Sequence, residues 1–537
     1  MKSVDQVPSH SLLRDIYNKS MPQTGTAPIA YIQSYFEHVH PFYPFLDRSL
    51  FEDRAFSLQL THHLATDQSW SALYHAILAI GSQYHDCGSF EPGKGQAWKY
   101  FEISFSLSAS LLLSKASLTT VQALTAMAVF ARNISCLQLE SITVSHAARM
   151  AQSLGYNRAS PSTSQSVQRT FWVLYCMEKT TCFYTGTTSL LNDLDVGYAP
   201  PSHPEPAFQN FDWLACFSRY SRLVSRIYEN LFAINAAGKP ASTYYLIIDE
   251  LRANLESWRV SIPEPFRPGG AFRVRAFAGP PASTLGVFVN YLYSSVLLAL
   301  SRGTLYLAKA TEEQRMRHQR AKEELMQTAR SILELTKFVE TYTPVWVLVF
   351  MPLSALFILF DFVVHNPMHP ETINNLALLD VAGGHSSNIE YVSRATLPAS
   401  ICVEFAHIAR QYVQDFRLRH QKMGDSAARP TDEQAVTMPT VAPESATIPN
   451  PTSTGEDLWK VAEVTGFAEG LGGDQSAPPH TGQEASSLPS NLGLEYTDPV
   501  FFLLGDDSVS ATADSGLGID IMDLFDVNLS DILALGT

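Results

Sequence analysis

Three successive helical repeats of apolar residues, all within residues 120–201, constrain this chain most. The stretch reads TVQALTAMAVFARN, then SHAARMAQSLGYNR, then QRTFWVLYCMEKTTCFYTGTTSLLNDLDVGYAPP. Ala147, Met150, Ala151 and Leu154 fall at i, i+3, i+4 and i+7, which is one face of an α-helix. Gly155 stands where that helix should end. Val167, Phe171, Leu174 and Tyr175 repeat the pattern at i, i+4, i+7 and i+8. Residues 121–130 are apolar almost all round, so their helix is a buried one. Three helices joined by short polar links make a helical core with room for a second layer.

The rest of the body extends this pattern. Residues 35–51, YFEHVHPFYPFLDRSLF, are bent by Pro41 and Pro44 between apolar anchors. Helical spacing recurs over residues 71–86, 97–114, 208–236, 244–260, 284–308, 312–340, 345–364 and 396–420. A Pro- and Gly-rich break separates residues 244–260 from those that follow. Alternating strand patterns are scarce, so the fold class is all-α, a large multi-helix body over residues 28–422. Residues 1–27 are polar and are expected to be loose. Residues 423–498 are rich in Pro, Gly, Ser, Thr, Ala and Glu, too poor in apolar surface to offset chain entropy, and read as a disordered linker. Residues 499–537 read as an acidic–hydrophobic tail.

Charge divides the chain as well, inside the linker. The net charge is -15, and no Lys or Arg follows Lys460. The last 77 residues hold 13 Asp and Glu, which leaves 37 basic and 39 acidic residues in the first 460. A near-neutral body argues against broad electrostatic binding to nucleic acid. Six scattered cysteines, with no metal-ligand spacing, read as reduced, buried thiols of an intracellular protein. The first residues lack the apolar run of a signal peptide. Two uncharged runs, residues 279–301 and 341–360, are long enough to span a bilayer. Both are interrupted by prolines or polar residues and lack a flanking basic cluster, so they read as core helices.

Motifs with possible chemistry are incomplete. GSFEPGKG (88–95) lacks the hydroxyl residue of a P-loop, and no strand precedes it, so it reads as a helix-to-helix turn. GHSSN (384–388) ends in Asn rather than Gly, lacks the strand of a nucleophile elbow and reads as a loop. His38, His40, His62 and His63 have no carboxylate or Cys at supporting spacing. Arg315, Arg317, Arg320 and Lys322 are flanked by Glu312, Glu313, Glu323 and Glu324 and read as a solvated helix face. Asp193 and Asp195 read as capping or loop-anchoring groups. No catalytic, cofactor or metal residue is assigned.

The tail carries the sharpest functional signal. Phe501, Phe502, Met522, Leu524, Phe525, Leu529, Ile532 and Leu533 lie among aspartates. In a helix, Met522, Phe525, Leu529, Ile532 and Leu533 share one face. Bulky apolar groups kept solvated by acids suit folding into a partner's apolar groove. A purely solubilising tail would omit them.

The body resembles the fungal-specific transcription factor domain, the middle homology region of fungal zinc-cluster regulators. The resemblance rests on the proline-bent entry, the apolar helix TVQALTAMAVF and the A-x-x-M-A-x-x-L-G segment ending at Gly155. It continues with the R-x-F-W-x-L-Y motif of Arg169, Phe171, Trp172, Leu174 and Tyr175, and with Glu178. It is good over residues 30–202 and extends in weaker form to about 420. Gly186-Thr187-Thr188 stands where the family has Gly-Arg-Pro, and the family's six-cysteine zinc cluster is absent from this sequence. The resemblance implies a nuclear regulator of RNA polymerase II transcription, pathway-specific in kind, that recruits coactivators and requires no catalytic cofactor. DNA contact is then expected through a DNA-binding partner or an upstream zinc-cluster segment. A small-molecule effector and a homodimer are further expectations. The alternative is a helical small-molecule-binding protein or enzyme whose tail has no function.

Overall fold

Local start and stop signals place most helices where the apolar spacing predicts them. The computed structural model describes residues 27–427, apart from 86–89, 91, 159–162, 202–207, 209–210, 237, 308–310, 340–344 and 393–399. Among the described residues every regular element is helical and no strand occurs, as an all-α body requires. The chain enters through α1 (Ala27–His38), α2 (Arg48–Ala55), α3 (Leu60–Thr66) and α4 (Gln68–Gln83). Then come α5 (Gly95–Ser106) and α6 (Ser108–Leu113), which divide at Leu107 a segment the spacing predicts as one helix. The three apolar repeats become α7 (Leu118–Asn133), α8 (Leu137–Ser153) and α9 (Gln165–Thr185). Next are α10 (Trp213–Ile227), which runs into a π-helical turn over Tyr228–Phe232, and α11 (Ala241–Val260). The described chain ends with α12 (Pro280–Leu305), α13 (Glu312–Thr336), α14 (Val345–His365), α15 (Thr372–Val392) and α16 (Ser400–Ala427).

Side-chain caps fix the starts. Asp67 accepts from Trp70 N at the head of α4, and Ser117 from Thr120 N at the head of α7. Thr311 and Gln314 form a reciprocal capping box on α13. Each cap contributes about 1 kcal/mol. Gly155 and Gly186 end α8 and α9 with φ of +72° and +66°, left-handed values that glycine adopts freely.

α12 organises the packing. Leu285, Phe288, Val289, Leu292 and Val296 belong to one apolar core, built with α1–α11. Val287, Tyr291, Leu298 and Leu305 form a stripe into a second core, built with α13–α16. A helix with a core on each side has to be apolar all round. That requirement accounts for the uncharged run, and α12 is long and apolar enough to cross a membrane while lying mostly buried inside this body. α14 is likewise a core helix: Met351, Ala355, Leu356, Leu359 and Val363 are buried, and Pro352 sits inside it without ending it.

One expectation is overturned. GHSSN lies inside α15, not in a loop, and α15 itself is not legible in the spacing. Its sequence holds two glycines and several Asn and Ser, all poor helix formers. Burial of Leu376, Leu379 and Ala382 against α13 and α14 overrides that propensity.

α1 and α4 cross closely. A Cβ on Gly81 would fall 1.9 Å from the Tyr31 carbonyl oxygen. Gly81→Ala should therefore force the two helices apart and cost about 1–3 kcal/mol in urea unfolding. An unchanged midpoint would refute that close approach.

Buried in α4, His75 donates from Nδ1 to Ser71 O, 2.7 Å away. Burial pushes its pKa down from 6.5 to about 4, against a weaker upward pull from that hydrogen bond. A base whose folded pKa is depressed binds its proton only in the unfolded chain between those values. Stability is therefore full above pH 6.5 and falls as pH drops towards 4, by up to about 1.4 kcal/mol per pH unit. Unfolding curves of wild type and His75→Gln between pH 6.5 and 5, above most carboxylate titration, should differ by that slope.

Candidate functional site

The predicted motifs converge on a polar seam between the proline-bent entry and helices α7–α10. Pro41 and Pro44 lack N–H groups, and the entry runs as turns whose carbonyls need donors from elsewhere. Side chains supply them. Phe45 O accepts from Gln122 Nε2 at 3.1 Å and from Thr170 Oγ1 at 3.0 Å. Phe42 O accepts from Trp213 Nε1 at 3.1 Å, and His40 Nε2 lies 3.0 Å from Leu46 O. Asp47 caps α2 and sits 3.8 Å from the buried Arg169 guanidinium. Thus Gln122 of α7, Thr170 and Arg169 of α9 and Trp213 of α10 all hold one bent segment.

Arg132, near the end of α7, is the centre of the next cluster. Its Nε donates to Glu140 Oε1 at 2.8 Å, and its Nη2 donates to Met177 O, Thr180 Oγ1 and Thr181 Oγ1, each at 3.1 Å. Thr181 also donates to Glu140 Oε1 at 2.5 Å. Both charged side chains are under a tenth exposed. Burial opposes the Arg132 charge, but Glu140 and Tyr43 beside it hold the guanidinium pKa above its usual range. The pair fastens α8 and α9 to the end of α7.

The MEKTT segment of α9 holds the following loop. Lys179 Nζ donates to Leu191 O at 2.5 Å and Ser225 Oγ at 2.9 Å, and pairs with Asp193 at 2.9 Å. Tyr175 OH donates to the same Asp193 carboxylate at 2.6 Å. Glu178 accepts from Ser189 Oγ at 2.7 Å and from Leu190 N at 2.5 Å. Burial lifts the Glu178 carboxyl above the ordinary range, and these two donors pull it back in part. Asp193 thus anchors a loop, as its position suggests, while Asp195 contributes through its backbone, its carbonyl accepting from Asn157 Nδ2 at 3.1 Å.

This seam builds architecture rather than a reaction centre. Each charge in it meets an opposite charge or a hydrogen-bond partner, and its thiols are inert. Burial pushes Cys176 and Cys216 up to about 12, so neither is a thiolate near neutral pH. Phe171, Trp172 and Tyr175 are buried in the core. Arg132, Glu140 and Lys179 escape detection in the sequence; the available signal is a charge set within an apolar helix, which has to find a partner.

Other candidates fall away. Gly93 and Gly95 have positive φ at a turn into α5, while Gly88, Ser89 and Glu91 lie outside the described residues. His38 stacks on Tyr84, and His62 meets His63 edge-on. Among the described residues, no group of three or more His, Cys, Asp or Glu is placed to hold a metal. Arg315 pairs with Glu312, and Arg317 with Asp249 and Glu313, as on a solvated face. Phe501, Phe502, Met522, Leu524, Phe525, Leu529, Ile532 and Leu533 lie outside the described residues.

Residues 32–259 match the family model described as the fungal specific transcription factor domain. The ABC-transporter-regulating transcription factor of Aspergillus oryzae is 22% identical over 96% of this chain and 61% of its own length. A protein of the same description from Aspergillus fumigatus is 22% identical over 72% of this chain and 46% of its own. A fumonisin cluster-specific transcription factor of Gibberella moniliformis is 30% identical over 37% of this chain and 33% of its own. The chain therefore spans between a third and about 61% of the lengths of these relatives. No solved structure matches it.

The seam yields a stability test. Arg132→Met leaves Glu140 buried without its partner and should cost about 3–5 kcal/mol. Adding Glu140→Met should recover part of that loss, because no buried charge remains. Additive losses in urea unfolding would show that the two residues do not act as a pair.

Proposed function

We propose that this chain is a nuclear regulator of transcription by RNA polymerase II in a fungus, pathway-specific in kind. The single observation that carries this reading is the family domain over residues 32–259, together with relatives that are themselves described as transcription factors. The body, residues 28–422, is the regulatory part. Residues 423–498 are a linker, and residues 499–537 are an activation segment that recruits coactivators. Phe501, Phe502, Met522, Leu524, Phe525, Leu529, Ile532 and Leu533 are its contact residues. An acidic segment with interspersed bulky apolar groups supports that assignment, because it has to hide those groups in a partner's groove. DNA is reached through a DNA-binding partner or an upstream zinc-cluster segment. Regulation of transporter genes, the activity named for the two Aspergillus relatives, is one instance of the pathway-level control proposed here.

The tail assignment is tested by tethering. Residues 423–537 fused to an unrelated DNA-binding domain should activate a reporter. Phe525→Ala with Leu529→Ala should abolish most of that activity. A silent fusion, or one indifferent to the double substitution, would remove the tail from the mechanism.

A further inference from the structure

The Pro- and Gly-rich break before α12 carries a surface that the body itself does not use. Phe272 and Phe277 turn inward, since a Cβ on Gly286 of α12 would come within 3.0 and 2.6 Å of their rings. Both belong to a chain of rings, Phe266, Phe277, Phe272 and Phe338, with successive centroids 5.2, 5.2 and 4.9 Å apart. The chain of rings runs from the first core, which holds Phe266, to the second, on which Phe338 packs. Residues 273–276 are thereby pinned at both ends. The backbone between closes a short 3₁₀ turn, with Ala276 N donating to Arg273 O at 2.9 Å and Phe277 N to Val274 O at 3.1 Å. A turn held from below by the rings on either side has to present its own side chains outward. Arg273 and Arg275 are exposed, and Val274 between them is 46% exposed.

The cations of this ridge are not matched by acids. Arg226, Arg252, Arg315, Arg317 and Arg330 each pair with a carboxylate. The Arg273 and Arg275 side chains have no such partner among the described residues. Residues 256–277 hold four Arg against two Glu, and one of those, Glu256, is held by Arg259 at 2.7 Å. Lys337 adds a further cation, its Nζ 5.1 Å from the centroid of the Phe338 ring. An exposed valine between unpaired arginines fits a partner that brings carboxylates and bulky apolar groups together. The chain carries such a segment. Residues 517–535 hold four Asp and no Lys or Arg. In a helix, Asp523 and Asp526 flank one edge of the face made by Met522, Phe525 and Leu529. Reach is sufficient. Ninety residues separate Ala427 from Leu517, and a coil of that length spans on the order of 50 Å. Tethering also keeps the segment at a roughly millimolar local concentration, so a weak contact is enough.

We propose that residues 517–535 dock on the Arg273–Val274–Arg275 ridge of the same chain. Asp523 and Asp526 pair with Arg273 and Arg275, and Phe525 and Leu529 cover Val274. A docked segment cannot meet a second partner with the same face. The proposal takes its contact residues from the tail reading above, but docking requires only their chemistry. A silent reporter fusion therefore leaves the docking standing, and a failed docking leaves the activation reading standing.

The test is photo-crosslinking in the full chain, with Phe525 replaced by p-benzoylphenylalanine and the products mapped by mass spectrometry. Heavy- and light-isotope chains are mixed in equal amounts, so that crosslinks within one chain and between two are told apart. Crosslinks should fall mainly on residues 272–277 and 337–338, should join positions of one chain, and should weaken as salt is raised. Arg273→Glu with Arg275→Glu alters two exposed side chains, should leave the circular dichroism unchanged, and should lower the ridge crosslink about fivefold, the scale of two exposed ion pairs. Adding Asp523→Lys with Asp526→Lys should restore it. Absent crosslinks, crosslinks spread over other faces, or mixed-isotope products showing that a second copy supplies the tail would overturn the proposal. So would a charge exchange that restores nothing.

Discussion

α12 has to be buried on every side, and the rest of the body is arranged to meet that demand. One stripe of it closes the core built by α1–α11, and another closes the core built by α13–α16. Twenty-six residues with few polar interruptions would be a liability on any surface. Between two cores they contribute from both faces, at roughly 25 cal/mol per Å² of apolar area removed from water. The second core therefore does more than append helices to the family domain, because it covers the outer face of α12.

Within the first core, the recurring sequence motif acquires a physical meaning. Its apolar letters, Phe171, Trp172, Leu174 and Tyr175, fill the interior, as the spacing requires. Its polar letters solve a different problem. A proline-bent segment cannot satisfy its own carbonyls, so Gln122, Thr170 and Trp213 donate to them from three helices. Lys179 does the same for Leu191 O in the loop beyond α9, and Arg132 ties the middle of α9 at Met177 O. Breaking any of these leaves a desolvated group unpaired, and that penalty enforces one arrangement of the helices. A body held in one arrangement by buried polar contacts suits a regulatory scaffold better than a reactive site, which needs groups left available.

Legibility follows the strength of the local signal. α7, α8 and α9 are plain in the sequence because their apolar residues keep helical spacing and their ends carry Ser or Gly signals. The role of Asp193 as a loop anchor is legible for the same reason, since a short acidic side chain beside Asn and Gly favours local hydrogen bonds. α15 is hidden because glycine, asparagine and serine argue against a helix that only neighbouring helices stabilise. The split of α5 from α6 is hidden too, since Leu107 gives no breaking signal. The Arg132–Glu140 pair joins residues on different helices, and no single-helix pattern announces it.

The sequence alone determined the all-α class, the near-neutral body, the acidic and apolar composition of the tail and the family resemblance of residues 32–259, because periodicity, motif and charge are local properties. Tertiary structure decided the rest. It set which apolar face of α12 met which core, which carbonyl each buried donor reached, and which exposed arginines were left without a carboxylate. Those outcomes depend on groups far apart in the chain being brought to 3.1 Å of one another, by packing that local spacing does not encode.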